Sequence, residues 1–148
     1  MLFRWAFDRF VPVWLQVVFV AGLIAAVAWQ DYSRRDTGRL KSHNHTGRPI
    51  FSYWVNDNWG GNGGTTCCWS FRGDTAEVVW ILDVTPKDIE AGLKEERHSV
   101  TLPMPVRSRE DQYLHVHFLP GNRVEMAWSP TLQSPLSERL REEYHNDD

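Results

Sequence analysis

Apolar and polar positions divide the chain into stretches with different periods. Residues 10–29, FVPVWLQVVFVAGLIAAVAW, carry no charge and one strongly polar side chain, Gln16. As a helix at about 1.5 Å per residue, such a run spans roughly 30 Å, the thickness of a bilayer's hydrocarbon core. Residues 1–30 are therefore expected to form an N-terminal transmembrane anchor or signal segment. Its length and the placement of Trp14 and Trp29 suit an uncleaved anchor, inserted in the inner membrane through residues 10–29. Ala26-Val27-Ala28 equally suits cleavage of a secretory signal. Residues 31–48, DYSRRDTGRLKSHNHTGR, are polar and basic without an apolar period, and predict a juxtamembrane linker.

Beyond residue 48 the period shortens to two. Strands are predicted at 50–55 (IFSYWV), 65–71 (TTCCWSF), 76–84 (AEVVWILDV), 99–104, 113–119 and 123–128. Turn chemistry separates them: the stretch 57–64 (DNWGGNGG), Arg72-Gly73-Asp74, Pro103-Met104-Pro105 and Pro120-Gly121-Asn122. Leu119-Pro120-Gly121-Asn122-Arg123 between two alternating runs predicts a hairpin. Helix is minor. Thr85-Pro86-Lys87-Asp88 reads as an N-cap with proline at the first helical position. A second short helix is expected over 135–144, capped by Ser134. The fold class is mainly β: an antiparallel β-sandwich or barrel-like domain over residues 49–148, preceded by the N-terminal helix.

Charge narrows the partners. The whole chain has a formal net charge of −3. From His43 onward, 10 Lys/Arg face 16 Asp/Glu, a balance of −6. An acidic domain argues against nucleic acid as a partner. Topology signals conflict at the membrane segment. More basic residues follow it (Arg34, Arg35, Arg39, Lys41) than precede it (Arg4, Arg9). The positive-inside rule would place the domain in the cytoplasm, whereas a short N-terminal tail before a first helix behaves as an export signal.

Known catalytic patterns are missing. The sequence has no Gly-x-Ser-x-Gly elbow, no phosphate loop and no His-Glu-x-x-His. No cofactor is expected. His115 and His117 lie two apart on a predicted strand and share a face. With His98 they could make a metal set only if the fold brought them together. His43 and His45, in the predicted linker, are too few for a metal claim, and no metal ligands are assigned. Cys67 and Cys68 are adjacent, which gives no metal-ligand spacing. Three states stay open for them: two reduced thiols, one buried and one half-buried; a vicinal disulfide on a distorted strand; or pairing between molecules. The stretch Asn56-Asp57-Asn58-Trp59 sets an aromatic beside amide and acid side chains in a glycine-rich loop. Exposed tryptophan in that setting suits a protein hot spot or a sugar site, and these four residues are the candidate partner-binding set.

A resemblance runs through the same residues. Val55-Asn56-x-x-Trp59-Gly60-Gly61-Asn62-Gly63-Gly64, then Cys67-Cys68, a Val78-Val79-Trp80 strand and Val116-His117-Phe118-Leu119-Pro120-Gly121 occur in that order over about residues 47–130. The pattern resembles a family of small proteobacterial envelope proteins of unknown function. Members are typically exported, often as lipoproteins, and frequently encoded beside type VI secretion phospholipase effectors of the α/β-hydrolase type. The resemblance implies an immunity protein that binds and inhibits such a lipase in the periplasm, and is not an enzyme. This chain has no cysteine for lipid attachment after its apolar run, so the helix would serve as the anchor. The alternative expectation is an envelope binding module for glycan, or a component of the secretion apparatus.

Overall fold

The computed structural model describes residues 12–35 and 37–145. It divides into two units, Met1–Arg35 and Asp36–Asp148. In the first, α1 covers Val13–Arg35, and its stretch Val13–Tyr32 is long and apolar enough to cross a membrane. None of that stretch is buried, as suits either an anchor or a signal. The helix runs past residue 30 because Gln30-Asp31-Tyr32-Ser33-Arg34-Arg35 contains neither glycine nor proline. Residues 10 and 11 of the apolar run, with Arg4 and Arg9, lie outside the described residues, as do the last three acidic-tail positions, 146–148.

The second unit is a β-sandwich of two four-stranded sheets. Its strands are β1 (Thr37–Asn44), β2 (Ile50–Val55), β3 (Asn58–Gly61), β4 (Thr65–Ser70), β5 (Thr75–Leu82), β6 (Glu96–Pro103), β7 (Tyr113–Leu119) and β8 (Arg123–Ser129). Two short helices join them: α2 (Pro86–Glu90) between β5 and β6, and α3 (Ser137–His145) at the end. Sheet A has the order β4-β1-β7-β8 and sheet B the order β3-β2-β5-β6. All neighbours are antiparallel except β1 and β7, which run parallel.

All six predicted strands are present, and two more are added. The larger correction concerns the predicted linker over 31–48. Residues 37–44 form β1, a central strand of sheet A between β4 and β7, so the folded unit begins near residue 36 rather than 49. The physical reason lies in its side chains. Gly38, Leu40 and Ser42 turn to the core while Arg39, Lys41 and His43 turn away. Only Leu40 supplies a large apolar group on the inner face, so the alternation is chemically faint. Glycine is needed at 38, since a Cβ there would come within 2.8 Å of the Trp128 ring. The second added strand, β3, lies inside the glycine-rich stretch.

The core between the sheets is built from alternate residues: Ile50, Tyr53 and Val55 of β2, Ala76, Val78, Trp80 and Leu82 of β5, and Leu114, Val116 and Phe118 of β7. Tyr53 and Trp80 each set a ring against Phe118, at 5.3 and 5.6 Å between centroids. The proline-led helix forms as predicted. Thr85 caps α2 in a reciprocal box with Asp88, and Gly92, with φ at 82°, follows its end. The final helix starts at Ser137, two residues later than expected; Ser134 caps the turn that leads into it, its hydroxyl accepting from Leu136 N and its carbonyl from Ser137 N.

Candidate functional site

Asn56 and Asp57 make the turn between β2 and β3, with φ of 47° and 64°. Two consecutive positive values are the pattern of a two-residue hairpin, and Asn and Asp adopt it at low cost. The Asn56 side chain is spent inside the fold. Its amide donates to Thr75 O at 3.1 Å and its carbonyl accepts from Glu77 N at 2.7 Å. The Asn58 amide likewise donates to Ser70 O at 3.2 Å. Asp57 remains exposed at the tip, and Trp59 is 51% exposed. Trp59 is nevertheless fixed, because its indole N–H donates to Ser52 Oγ at 2.7 Å.

Of the four residues singled out in the sequence, then, two shape the hairpin and two present a surface. Trp59 lies opposite Trp54, and Trp54 lies opposite Val79. Trp54 and Val79 each sit between core residues in their strands, so they face outward and extend the apolar surface of sheet B. Alanine at position 56 loses both side-chain bonds and strains the turn. We expect Asn56→Ala to lower stability by about 2 kcal/mol, read from the urea midpoint, through folding rather than partner contact.

Cys67 and Cys68 are bonded to each other, and both are exposed on β4, an edge strand of sheet A. The three states open from the sequence reduce to the vicinal disulfide in this structure.

Sequence reasoning missed the most concentrated chemistry. The parallel pairing of β1 with β7 brings the two His-x-His pairs together on the outer side of sheet A. His43 Nε2 lies 2.9 Å from His115 Nδ1, and His45 Nε2 lies 3.1 Å from His117 Nδ1. The His43 and His117 rings stack, with centroids 4.3 Å apart and planes 8° from parallel. His115 and His117 are fully buried. The segment after β8 lies over them: His115 Nε2 is 3.1 Å from Thr131 O, and His117 Nε2 is 2.7 Å from Ser134 Oγ. The two spacings of two residues were visible in the sequence; that a strand would carry 43 and end just before 45 was not. His98 stays apart in sheet B, bonded to Glu96 at 2.9 Å. Among the described residues no group of three or more His, Cys, Asp or Glu is arranged to hold a metal ion.

These bonds fix one tautomer chain. A carbonyl only accepts, so His115 Nε2 carries the proton toward Thr131. A neutral His115 then accepts at Nδ1, and His43 Nε2 must donate. In the second chain the Ser134 hydroxyl can accept or donate, which leaves two arrangements. Ser134, His117 and His45 have the outline of a nucleophile, a base and an orienting group. Their chemistry argues otherwise. Burial, reinforced by His43, His45, His115 and Arg139, pushes His117 down to about 3, far too low for a base at neutral pH. The Ser134 hydroxyl also accepts from Leu136 N at 3.2 Å, and Ser134 is buried. Burial, with His115, Lys41 and His45 nearby, pushes His43 to about 4, and burial lowers His115 as well. The arrangement holds neutral rings and fastens the C-terminal segment.

Residues 43–126 match the family described as Protein of unknown function (DUF3304). Neither the curated proteins nor the solved structures give a match to this chain.

Proposed function

The chain belongs to the DUF3304 family of proteins of unknown function, and from that footing we propose that it is an envelope binding protein that neutralises a secreted phospholipase. In this reading α1 tethers the domain to the inner membrane, the domain faces the periplasm, and its partner is a type VI secretion lipase of the α/β-hydrolase type. Tethering would concentrate the inhibitor at the bilayer where a lipase works. The observation that carries the binding role is Trp59: half exposed, yet locked by Ser52 on a hairpin whose amides are bonded into the fold. A pre-ordered aromatic loses little entropy when it docks, and such residues dominate interface energies. The membrane-compatible helix supports an envelope setting, and the sequence resemblance favours a lipase as the partner.

The decisive experiment mixes the full chain, in detergent micelles, with a lipase encoded beside it, and follows both binding and lipid hydrolysis. We expect binding with loss of lipase activity, and at least a tenfold weaker Kd for Trp59→Ala, about 1.4 kcal/mol or more. A chain that neither binds nor inhibits ends the proposal. Binding that ignores Trp59→Ala moves the interface elsewhere. A phosphatase fused after residue 148, active only once exported, tests the compartment separately.

A further inference from the structure

The histidine cluster is walled on one side by sheet A, which cannot move without opening the core. On the other side is the segment 130–145, held by side-chain bonds and by the fully buried Leu140. Thr131 O and Ser134 Oγ meet His115 and His117. Arg139 pairs with Glu125 of β8, and Arg123 of β8 bonds the Tyr144 hydroxyl. The His45 and Tyr144 rings lie 6.2 Å apart. One wall is therefore fixed and the other is latched.

We infer that this face carries an acid-operated clasp: a second proton entering either histidine pair breaks its N···N bond and frees residues 130–145 from β7 while the sandwich stays closed. The argument is one of proton counting. A neutral pair shares one N–H between its facing nitrogens, at 2.9 or 3.1 Å. The first added proton can sit on a nitrogen that faces away from the partner ring and leave the bond intact. The second must go to a facing nitrogen, and it sets N–H against N–H. Stacking of His43 on His117 also places the two charges ring to ring.

Among the described residues, no carboxylate acts on His43, His115 or His117. Lys41 of β1 adds positive charge beside His43 and His115. Arg39 of β1 is bonded to the Tyr113 hydroxyl of β7, at 2.7 Å. Arg139 of α3 faces His117 and already holds Glu125 of β8 and Glu143 of its own helix. Glu138 lines a surface pocket together with Thr131 and Ser134. Buried cations without partners demand water, and lifting the latched wall is the way to admit it. Because two protons are needed, release should be steeper than a single titration.

The test is amide hydrogen exchange on the full chain in micelles between pH 7.5 and 4.5, corrected for intrinsic rates. We expect protection at Ser137 and Leu140, whose amides bond Ser134 O and Leu136 O, to fall at least tenfold, with a slope above one proton. Protection in β2 and β5 should fall only as far as the global stability does and stay well above that of the segment. Glutamine can donate or accept, so H43Q/H45Q should keep the latch and flatten the pH dependence. Ring nitrogen titration by NMR supplies a second readout in the wild type, and should share its midpoint with the amides. Unchanged protection at pH 4.5, sheets and segment exchanging through one common opening, a variant that releases like wild type, or ring titration without release would each overturn the clasp.

Discussion

Replacing Gly60 with alanine should cost the domain about 3 kcal/mol and lower its Tm by roughly 10–20 °C. A Cβ at position 60 would fall 2.0 Å from Tyr53 Cζ, inside the ring's own volume. Tyr53 is fully buried and packs edge-on to Phe118, so its ring cannot swing aside without disturbing both sheets. The clash is with a particular ring, which makes it testable as such. Tyr53→Leu should be costly alone, yet should make Gly60→Ala less damaging than it is in the wild-type background, a positive coupling in a double-mutant cycle. Gly64→Ala serves as the control, because nothing lies within 4 Å of its Cβ position. Thermal unfolding by circular dichroism reads all five proteins, wild type included. An alanine at 60 that leaves Tm within two or three degrees of wild type would contradict the packing described.

Acid should weaken the closed domain by about 2 kcal/mol between pH 6.5 and 4.5 through His117 alone. The sign follows from the direction of the shift. A histidine titrates near 6.5 when unfolded, and burial holds His117 near 3 and His43 near 4 in the fold. Below 6.5 the unfolded chain therefore takes up protons that the folded one refuses. Stability is fully present above that pH and declines as pH falls toward the folded values. His43 should add to the loss, though less than additively, since the two rings are stacked and repel each other once charged. Urea unfolding at a series of pH values measures the slope. A midpoint that stays flat from pH 7 to 4.5 would show the rings to be charged or solvated in the fold.

Much of the sandwich was legible because six strands carry strong chemical contrast. Ala76 to Leu82 alternates apolar groups inward along β5, and Pro120-Gly121-Asn122 is a turn in any context. The two missed strands lack that contrast. In β1 the inward positions are Gly38, Leu40 and Ser42, so the strand is stabilised by its neighbours on both sides rather than by its own side chains. In β3, Asn58-Trp59-Gly60-Gly61 reads as loop because its essential packing feature is a missing side chain. The site was legible in proportion. Trp59 stood out as an aromatic among glycines, and it is exposed. The amides of Asn56 and Asn58 looked equally available, but they bond to backbone of Thr75, Glu77 and Ser70, partners that only the tertiary fold brings near. The histidine cluster was hidden for the same reason, since it depends on β1 meeting β7.

That meeting also dictates when the domain can form. Arg39 pairs with Tyr113 and Asn44 with Phe118, partners 74 residues apart. A chain emerging from the ribosome N-terminus first delivers β1 early and β7 late. Until some two-thirds of the residues beyond α1 have emerged, the strand that becomes the middle of sheet A has only β4 to pair with. Non-local pairing of this kind slows folding and leaves strand edges uncovered in the interval. In β1, Arg39, Lys41 and His43 alternate along one face. Exposed charge on an unpaired strand discourages edge-to-edge association. The polar composition that disguised this strand as a tether is thus well suited to its wait, keeping it soluble until its last neighbour arrives.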